Sequence, residues 1–128
     1  MQAGQLKTLT AAVKDVDAAL STFQKNFGFA LTRRRDEANG SRSAFLRIGA
    51  SEIELTAGAS GALADAVAKR GEGLFQVELE IDDLHAAQSE LVEHGIRAEI
   101  ETDAAGRRVL RVPTEHTHGV PLVLSEGR

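Results

Sequence analysis

The sequence feature that most constrains the fold is an internal repeat, in which two similar segments are separated by 68 positions. The first segment, VKDVDAA at residues 13–19, aligns with the second, IDDLHAA at residues 81–87. In each segment an aspartate stands where it can cap a helix, and the residues before it predict a β-strand. One repeat alone would leave an apolar sheet face exposed, so we expect the two copies to share a core.

Hydrophobic spacing predicts the same order of elements in both copies. The residues Val16, Leu20, Phe23 and Phe27 are spaced by 4, 3 and 4 positions, which predicts one face of an amphipathic helix. Three strands are predicted to follow this helix, at FALTRRR, SAFLRIGA and SEIELTAG. The second copy has the strand LFQVELEI, a helix opened by two aspartates, and the strands IRAEIET, RRVLRV and GVPLVL.

We therefore predict an α+β fold with two βαβββ modules in tandem, at residues 6–58 and 74–126. A short Ala-rich helix within residues 59–73 is predicted to connect them. We expect residues 1–128 to form a single domain, because a chain of this length buries about two-thirds of its unfolded surface and needs no disulfide or other covalent cross-link to be stable.

Composition excludes several classes of protein. The chain has no Cys, which excludes disulfides and Cys-based zinc sites, and its net charge of −4 argues against nucleic-acid binding. No apolar run approaches the roughly 20 residues of a membrane span, and no basic segment precedes an apolar stretch at the N-terminus. We expect a cytoplasmic protein whose partner is a small molecule, with no nucleic acid and no membrane.

The duplicated βαβββ pattern resembles the vicinal oxygen chelate superfamily, which includes glyoxalase I, methylmalonyl-CoA epimerase, extradiol dioxygenases and bleomycin-resistance proteins. The closest local match is KRGEGLFQVELEIDDL at residues 69–84, which is similar to KRGEGLHHIAFEVDDI in methylmalonyl-CoA epimerases. The segment VPTEHTHGVPLVLSE resembles the closing strand of the family, and VKDVDAAL resembles its first helix. The resemblance implies a glyoxalase-like fold, in which the two modules form a curved sheet around a cleft, and it implies a homodimer.

The resemblance also implies four positions for the ligands of a divalent metal. They fall at Thr8, Glu54, Gln76 and Val123. Glutamate is a strong ligand, whereas glutamine and threonine are weak ones and valine has no donor atom. We therefore expect no cofactor. The alternative is a divalent metal held by Glu54 with Gln76, and with His116 or His118.

Strand alternation predicts which side chains line the cleft. In LFQVELEI, Gln76 and Glu78 share a polar face, and Glu54 has the polar parity on its own strand. We expect these three residues to be catalytic, because a partly desolvated carboxylate can act as a general acid or base. The residues expected to bind the ligand are Thr8, Thr10, Glu52, Thr56, Phe45 and Val123.

Two alternatives concern charged residues on the strands. Glu78 and Glu80 would face water if their sheet were an ordinary half-exposed one. The arginines at residues 33–35, and those at residues 107–108 with Arg111, predict either solvated strand faces or an anion-binding rim for a carboxylate or a CoA phosphate.

Three functions remain open on the sequence. The first is a small-molecule enzyme of the lyase or isomerase type that uses carboxylate acid–base chemistry in the cleft, without the usual catalytic metal. The missing ligands argue against the metal-dependent epimerase and glyoxalase reactions themselves. The second is a non-catalytic protein that binds and sequesters a small molecule, as bleomycin-resistance proteins do. The third is a structural dimer subunit without a ligand.

Overall fold

The structure, a computed structural model, describes residues 1–103 and 105–127. The strands and helices of these residues are, in chain order, β1 (Ala3–Ala12), α1 (Val16–Phe27), β2 (Ala30–Asp36), β3 (Arg42–Ile48), β4 (Ser51–Ala57), α2 (Gly61–Arg70), β5 (Gly73–Ile81), α3 (Leu84–Glu93), β6 (Ile100–Thr102), β7 (Arg108–Val112), a 3₁₀-helix (Thr114–His116) and β8 (Leu122–Glu126). The predicted α+β class and the repeated βαβββ order are therefore confirmed. None of the helices in this described part of the chain is long and apolar enough to cross a membrane.

The chain packs as two compact units. The N-terminal unit consists of residues 8–75, and the C-terminal unit consists of residues 1–7 and 76–128. Because β1 runs from residue 3 to residue 12, its two halves belong to different units. In the N-terminal unit α1 packs against strands of that unit, and in the C-terminal unit α3 does the same.

In the N-terminal unit the strand order is β2-β3-β4-β1, with β1 and β4 parallel and the other two pairs antiparallel. Helix α1 begins after Asp15, whose side chain accepts a hydrogen bond from the Ala18 N–H, and it ends at Gly28 with φ of 70°. Buried aliphatic residues join α1 to one sheet face: Val13, Val16, Leu20, Ala44, Leu46 and Leu55. The prediction that Phe27 belongs to this core is wrong. It lies exposed in the last helical turn and stacks on Phe29 instead.

In the C-terminal unit the strand order is β5-β8-β7-β6, with β5 and β8 parallel. Helix α3 begins after Asp83, which accepts from the Ala86 N–H, and its Leu84, Ala87 and Leu91 are buried in the core. The predicted strand IRAEIET is too long, because β6 contains residues 100–102 alone. The Ala98 carbonyl before it accepts a hydrogen bond from the Gln88 side chain rather than from a neighbouring strand.

The register of the strands preserves the internal repeat. Thr10 of β1 pairs with Glu54 of β4, and Glu78 of β5 pairs with Val123 of β8. Thr10 and Glu78 are separated by the repeat offset of 68, so Glu54 and Val123 occupy corresponding positions in the two units. The duplication therefore extends to which side chains lie opposite each other.

Candidate functional site

Glu54 lies on the polar face of the N-terminal unit, on the side of β4 opposite the core that packs against α1. Its Oε1 accepts a hydrogen bond from Thr10 Oγ1 at 3.0 Å. Its Oε2 accepts from Ser43 Oγ at 2.8 Å and, at 3.5 Å, from the Nη2 of Arg35. The Glu54 side chain is 14% exposed, so it is largely desolvated but can still be reached. The structure thus brings the predicted Glu54 and Thr10 together.

The hydroxyl groups around Glu54 fix its position. Ser43 Oγ also lies 2.9 Å from Thr56 Oγ1, and Thr56 Oγ1 donates to the Arg42 carbonyl at 3.2 Å. Thr10, Ser43 and Thr56 are all buried. An ionised carboxylate offers about four acceptor positions, two on each oxygen. Within the described residues Oε1 accepts one hydrogen bond, from Thr10, so this oxygen retains room for one more donor.

Arginines cover the aromatic ring beside Glu54. The Arg33 guanidinium carbon lies 3.8 Å from the centroid of the Phe45 ring, and that of Arg35 lies 5.1 Å from it. Arg33 Nη1 also donates to Glu52 Oε2 at 2.6 Å. Phe45 is 3% exposed, so this predicted ligand-binding residue supports guanidinium groups and presents no open ring.

Sequence reasoning missed Ser43, although a signal for it was present. Ser43 stands two positions before Phe45 on the same strand, and alternation places both on the polar face. Thr8 is buried on the same face of β1, where it pairs with Glu52 of β4. The predicted residues Thr8, Glu52 and Thr56 thus share one face with Glu54.

Glu78, the second predicted carboxylate, has a different environment in the C-terminal unit. Its two oxygens accept from Arg107 Nη1 and Nη2 at 3.0 and 3.1 Å, and Oε2 also accepts from Ser125 Oγ at 2.7 Å. The side chain is 6% exposed, so the alternative in which Glu78 faces water is wrong. Glu80 is half-buried, and its Oε2 lies 3.8 Å from Lys7 Nζ.

The charges around Glu78 keep it ionised. Burial alone would raise its pKa, but the hydrogen bonds from Arg107 and Ser125 outweigh burial and leave the pKa below its usual value. Arg107 is itself held by Asp103, whose Oδ2 accepts from its Nε at 3.1 Å and its Nη2 at 2.8 Å. Hydrogen bonds from Arg107 to both carboxylates raise the pKa of the guanidinium further above neutrality. The hairpin between β6 and β7 is thereby fastened to β5.

The other predicted residues of the C-terminal unit are Gln76, Val123, His116 and His118, and of these Val123 pairs with Glu78 across β5 and β8. Gln76 Oε1 accepts from Arg111 Nη1 at 3.1 Å, and Arg111 Nε donates to Glu101 at 3.1 Å. Val123 is buried on β8. His116 and His118 are exposed on either side of Thr117, after the Pro113 turn.

Comparison with known proteins identifies the family. A sequence model described as the Glyoxalase/Bleomycin resistance protein/Dioxygenase superfamily matches residues 9–110. The chain belongs to this superfamily. No curated protein matches the chain.

Solved structures of superfamily members share the glyoxalase-like fold that the sequence predicts. A methylmalonyl-CoA epimerase from Mycobacterium tuberculosis is 25% identical with a TM-score of 0.87, over 98% of this chain and 89% of its own. A hypothetical protein from Bacillus halodurans is 25% identical with a TM-score of 0.88, over 97% of this chain and 94% of its own. The epimerase of Streptomyces coelicolor, in complex with 2-nitronate-propionyl-CoA, is 23% identical with a TM-score of 0.87, over 98% and 96%.

The donor set of this superfamily member does not fit the metal that the resemblance implies. Val123 offers no donor atom, and the Gln76 oxygen already accepts from a guanidinium. The Glu54 carboxylate accepts from two hydroxyls and from Arg35, a cation that would repel a bound metal. In the described residues no group of three or more His, Cys, Asp or Glu side chains is placed to hold a metal ion.

Proposed function

We propose that this chain is a small-molecule enzyme of the lyase or isomerase type, in which Glu54 moves a proton at a carbon next to a carbonyl group without a catalytic metal. The observation that carries the proposal is the setting of Glu54. Its carboxylate is 14% exposed, oriented by two buried hydroxyls, and keeps an acceptor position on Oε1.

The chemistry follows from that setting. A general base must be ionised, fixed in direction and within hydrogen-bond reach of the proton that it removes. Thr10 and Ser43 fix Glu54 from both oxygens, while the remaining position on Oε1 can receive the proton. The structural neighbours of the chain include a methylmalonyl-CoA epimerase, and epimerisation at a carbon next to a carbonyl group is a proton transfer of this kind.

The other predicted catalytic residues have a different part in this proposal. Glu78 and Gln76 bind Arg107 and Arg111, and we assign them to holding the C-terminal unit together rather than to moving protons. Sequestration of an aromatic ligand is not favoured, because the Phe45 ring on the polar face is covered by guanidinium groups.

Deuterium exchange tests the proposal directly. The chelator-treated protein is incubated in D₂O with methylmalonyl-CoA, propionyl-CoA and a set of 2-substituted carboxylic acids, and mass spectrometry measures deuterium incorporation next to the carbonyl. We expect exchange with at least one compound without added metal. Glu54→Gln should slow it by about 10²- to 10⁴-fold, the usual worth of a general base.

The matched control is Glu93→Gln, because Glu93 is an exposed glutamate at the end of α3. This variant should exchange at the wild-type rate. Exchange that survives in Glu54→Gln, that requires an added divalent metal, or that is absent with every compound would contradict the proposal.

A further inference from the structure

We propose that Arg33 and Arg35 bind a carboxylate group of the substrate directly beside Glu54. This inference rests on the proposed function, since it names the class of substrate that the Glu54 site takes. It concerns the charged side chains on the polar face of β2, β3 and β4. We call Arg33 and Arg35 together the arginine pair.

The ring of Phe45 holds the arginine pair in place. The guanidinium carbons of Arg33 and Arg35 lie 3.8 and 5.1 Å from the ring centroid, and the ring itself is 3% exposed. Both guanidinium groups remain partly open to solvent, at 51% and 34% of their side chains. Two cations that are fixed against one buried ring but exposed on the other side form a surface suited to an anion.

The arginine pair has donors to spare. A guanidinium has five N–H donors. In the described part of the chain, Arg33 uses Nη1 toward Glu52, and Arg35 uses Nη2 toward Glu54 and pairs through Nε with Glu37. Arg33 therefore keeps an unused edge, formed by Nε and Nη2, of the kind that binds a carboxylate with two parallel hydrogen bonds.

One of the contacts of Arg35, the one with Glu54, is weak. Its hydrogen bond to Glu54 is 3.5 Å long, at the upper limit for such a bond. Its Nε and the Glu37 Oε1 are buried and lack a well-directed hydrogen bond within the described residues, although the two groups form an ion pair. An incoming carboxylate that takes the Nη2 donor of Arg35 therefore displaces only the long contact with Glu54, while the ion pair with Glu37 stays in place.

The balance of charge connects this binding to the proton transfer. Arg33, Arg35 and Arg47 stand on the same face as Glu52 and Glu54, and Glu37, just after β2, forms an ion pair with Arg35, which makes three positive and three negative groups. An arriving carboxylate adds one negative charge beside Glu54. Transfer of a proton from the substrate to Glu54 leaves the total charge unchanged, because it moves one negative charge from the carboxylate to the substrate as an enolate. The positive charge of Arg33 and Arg35, which hold the substrate, favours that enolate and so favours the base step that we propose for Glu54.

Arg107 differs from the arginine pair because it has few donors left for a ligand. Its Nη1, Nη2 and Nε all donate to Glu78 or Asp103, at distances of 2.8 to 3.1 Å. Its donors are already directed at carboxylates of the chain itself. Arg107, one member of the second arginine cluster predicted as an anion-binding rim, therefore has less to offer a ligand than Arg33.

A binding experiment with malonate tests the inference without relying on turnover. Isothermal titration measures malonate, malonamide and inorganic phosphate on the wild type and on the variants Arg33→Gln, Arg35→Gln and Arg33→Lys. We expect saturable binding of malonate, no binding of malonamide, and weaker binding of phosphate. Each Gln variant should weaken malonate binding by about 10-fold or more, as expected for charge-assisted hydrogen bonds.

Arg70→Gln is the matched control, because Arg70 ends α2 and forms no ion pair in the described residues. It should bind malonate as the wild type does, and Arg33→Lys should bind more weakly than the wild type because a lysine has no bidentate edge. Thermal melting checks that each variant is folded. Malonate that does not bind, that binds equally to all variants, or that binds less tightly than phosphate would overturn the inference.

The variant Glu54→Gln separates this inference from the proposed function. It should lose deuterium exchange but keep malonate binding. If Glu54→Gln exchanges normally while malonate still depends on the arginine pair, the proposed base is wrong and the anion site stands. If exchange depends on Glu54 but malonate binding does not depend on the arginine pair, the proposed anion site is wrong and the assignment of Glu54 as the base is supported.

Discussion

The two units of the chain each place a glutamate on the polar face of a strand, yet the two carboxylates have different surroundings. In the N-terminal unit, Glu54 accepts from the hydroxyls of Thr10 and Ser43 and has a long contact with Arg35. In the C-terminal unit, Glu78 accepts two hydrogen bonds from Arg107, at 3.0 and 3.1 Å, and one from Ser125 at 2.7 Å.

This difference shows that the two copies of a duplicated module can use their carboxylates for different purposes. A carboxylate with a bidentate guanidinium and a buried hydroxyl is stabilised in its charged form and has little capacity left for a substrate. A carboxylate held mainly by hydroxyls keeps its direction and an acceptor position. Glu78 is therefore suited to stabilising the C-terminal unit, and Glu54 is suited to accepting a proton from a substrate. Variants of these residues and of their partners test this division.

The largest effect on stability is expected from Arg107→Ala. It leaves Glu78 charged and buried without its partner, a change that costs about 3–5 kcal/mol at fully buried sites. Because the Arg107 side chain is 42% exposed, water can replace part of the interaction, and we expect a loss of about 2 kcal/mol. Urea denaturation at pH 7 measures the free energy of unfolding.

Arg35→Ala is the matched control in the other unit, and it should lower the free energy of unfolding by about 1 kcal/mol or less. The double variant Glu78→Gln with Arg107→Ala should recover part of the loss, since the uncompensated charge is gone. Equal losses for Arg107→Ala and Arg35→Ala would mean that the two carboxylates are held alike, and the comparison would fail.

A smaller effect is expected in the dependence of stability on pH. The pKa of Glu78 is lower in the folded chain than its usual value near 4.5, so folding favours the ionised form. The resulting stabilisation is complete above that usual value and is lost as the pH falls through the lowered pKa. Urea denaturation between pH 7 and pH 3 should show Glu78→Gln less stable than the wild type at pH 7, with the gap closing toward pH 3. A gap that is constant across this range would show that the charge of Glu78 contributes nothing.

The fold was predictable because its signals are local or repeated. Asp15 and Asp83 cap their helices as their positions predict, and the offset of 68 fixes the order of elements in both units. Strand alternation also placed Glu54 and Thr10 on one face, because side-chain parity needs no knowledge of the partner strand. These features depend on neighbours within a few residues or on the similarity of the two copies.

The surroundings of the two carboxylates were not predictable in the same way. Ser43 reaches Glu54 through the register of β3 with β4, and Arg107 reaches Glu78 from a hairpin 29 residues away. Alternation gives the face on which a side chain lies, but it does not give the reach of a long arginine across strands. For the same reason Phe45 was predicted as a ligand contact, whereas Arg33 covers its ring.

The smallest and sharpest comparison uses the two serines. Ser125 donates to Glu78 at 2.7 Å and Ser43 donates to Glu54 at 2.8 Å, and both residues are buried. Removing either hydroxyl should cost about 1 kcal/mol in the free energy of unfolding, because each variant loses the hydrogen bond to its carboxylate. Stability alone therefore does not separate them.

The rate of deuterium exchange separates the roles of the two serines. Ser43→Ala removes a donor that directs the proposed base, so we expect a fall of about 3- to 10-fold, whereas Ser125→Ala should exchange within about 2-fold of the wild type. Mass spectrometry of the exchanging compound measures both variants at equal folded concentration. If Ser125→Ala slows exchange as much as Ser43→Ala, then Glu78 takes part in the chemistry, and the division of tasks between the units must be abandoned.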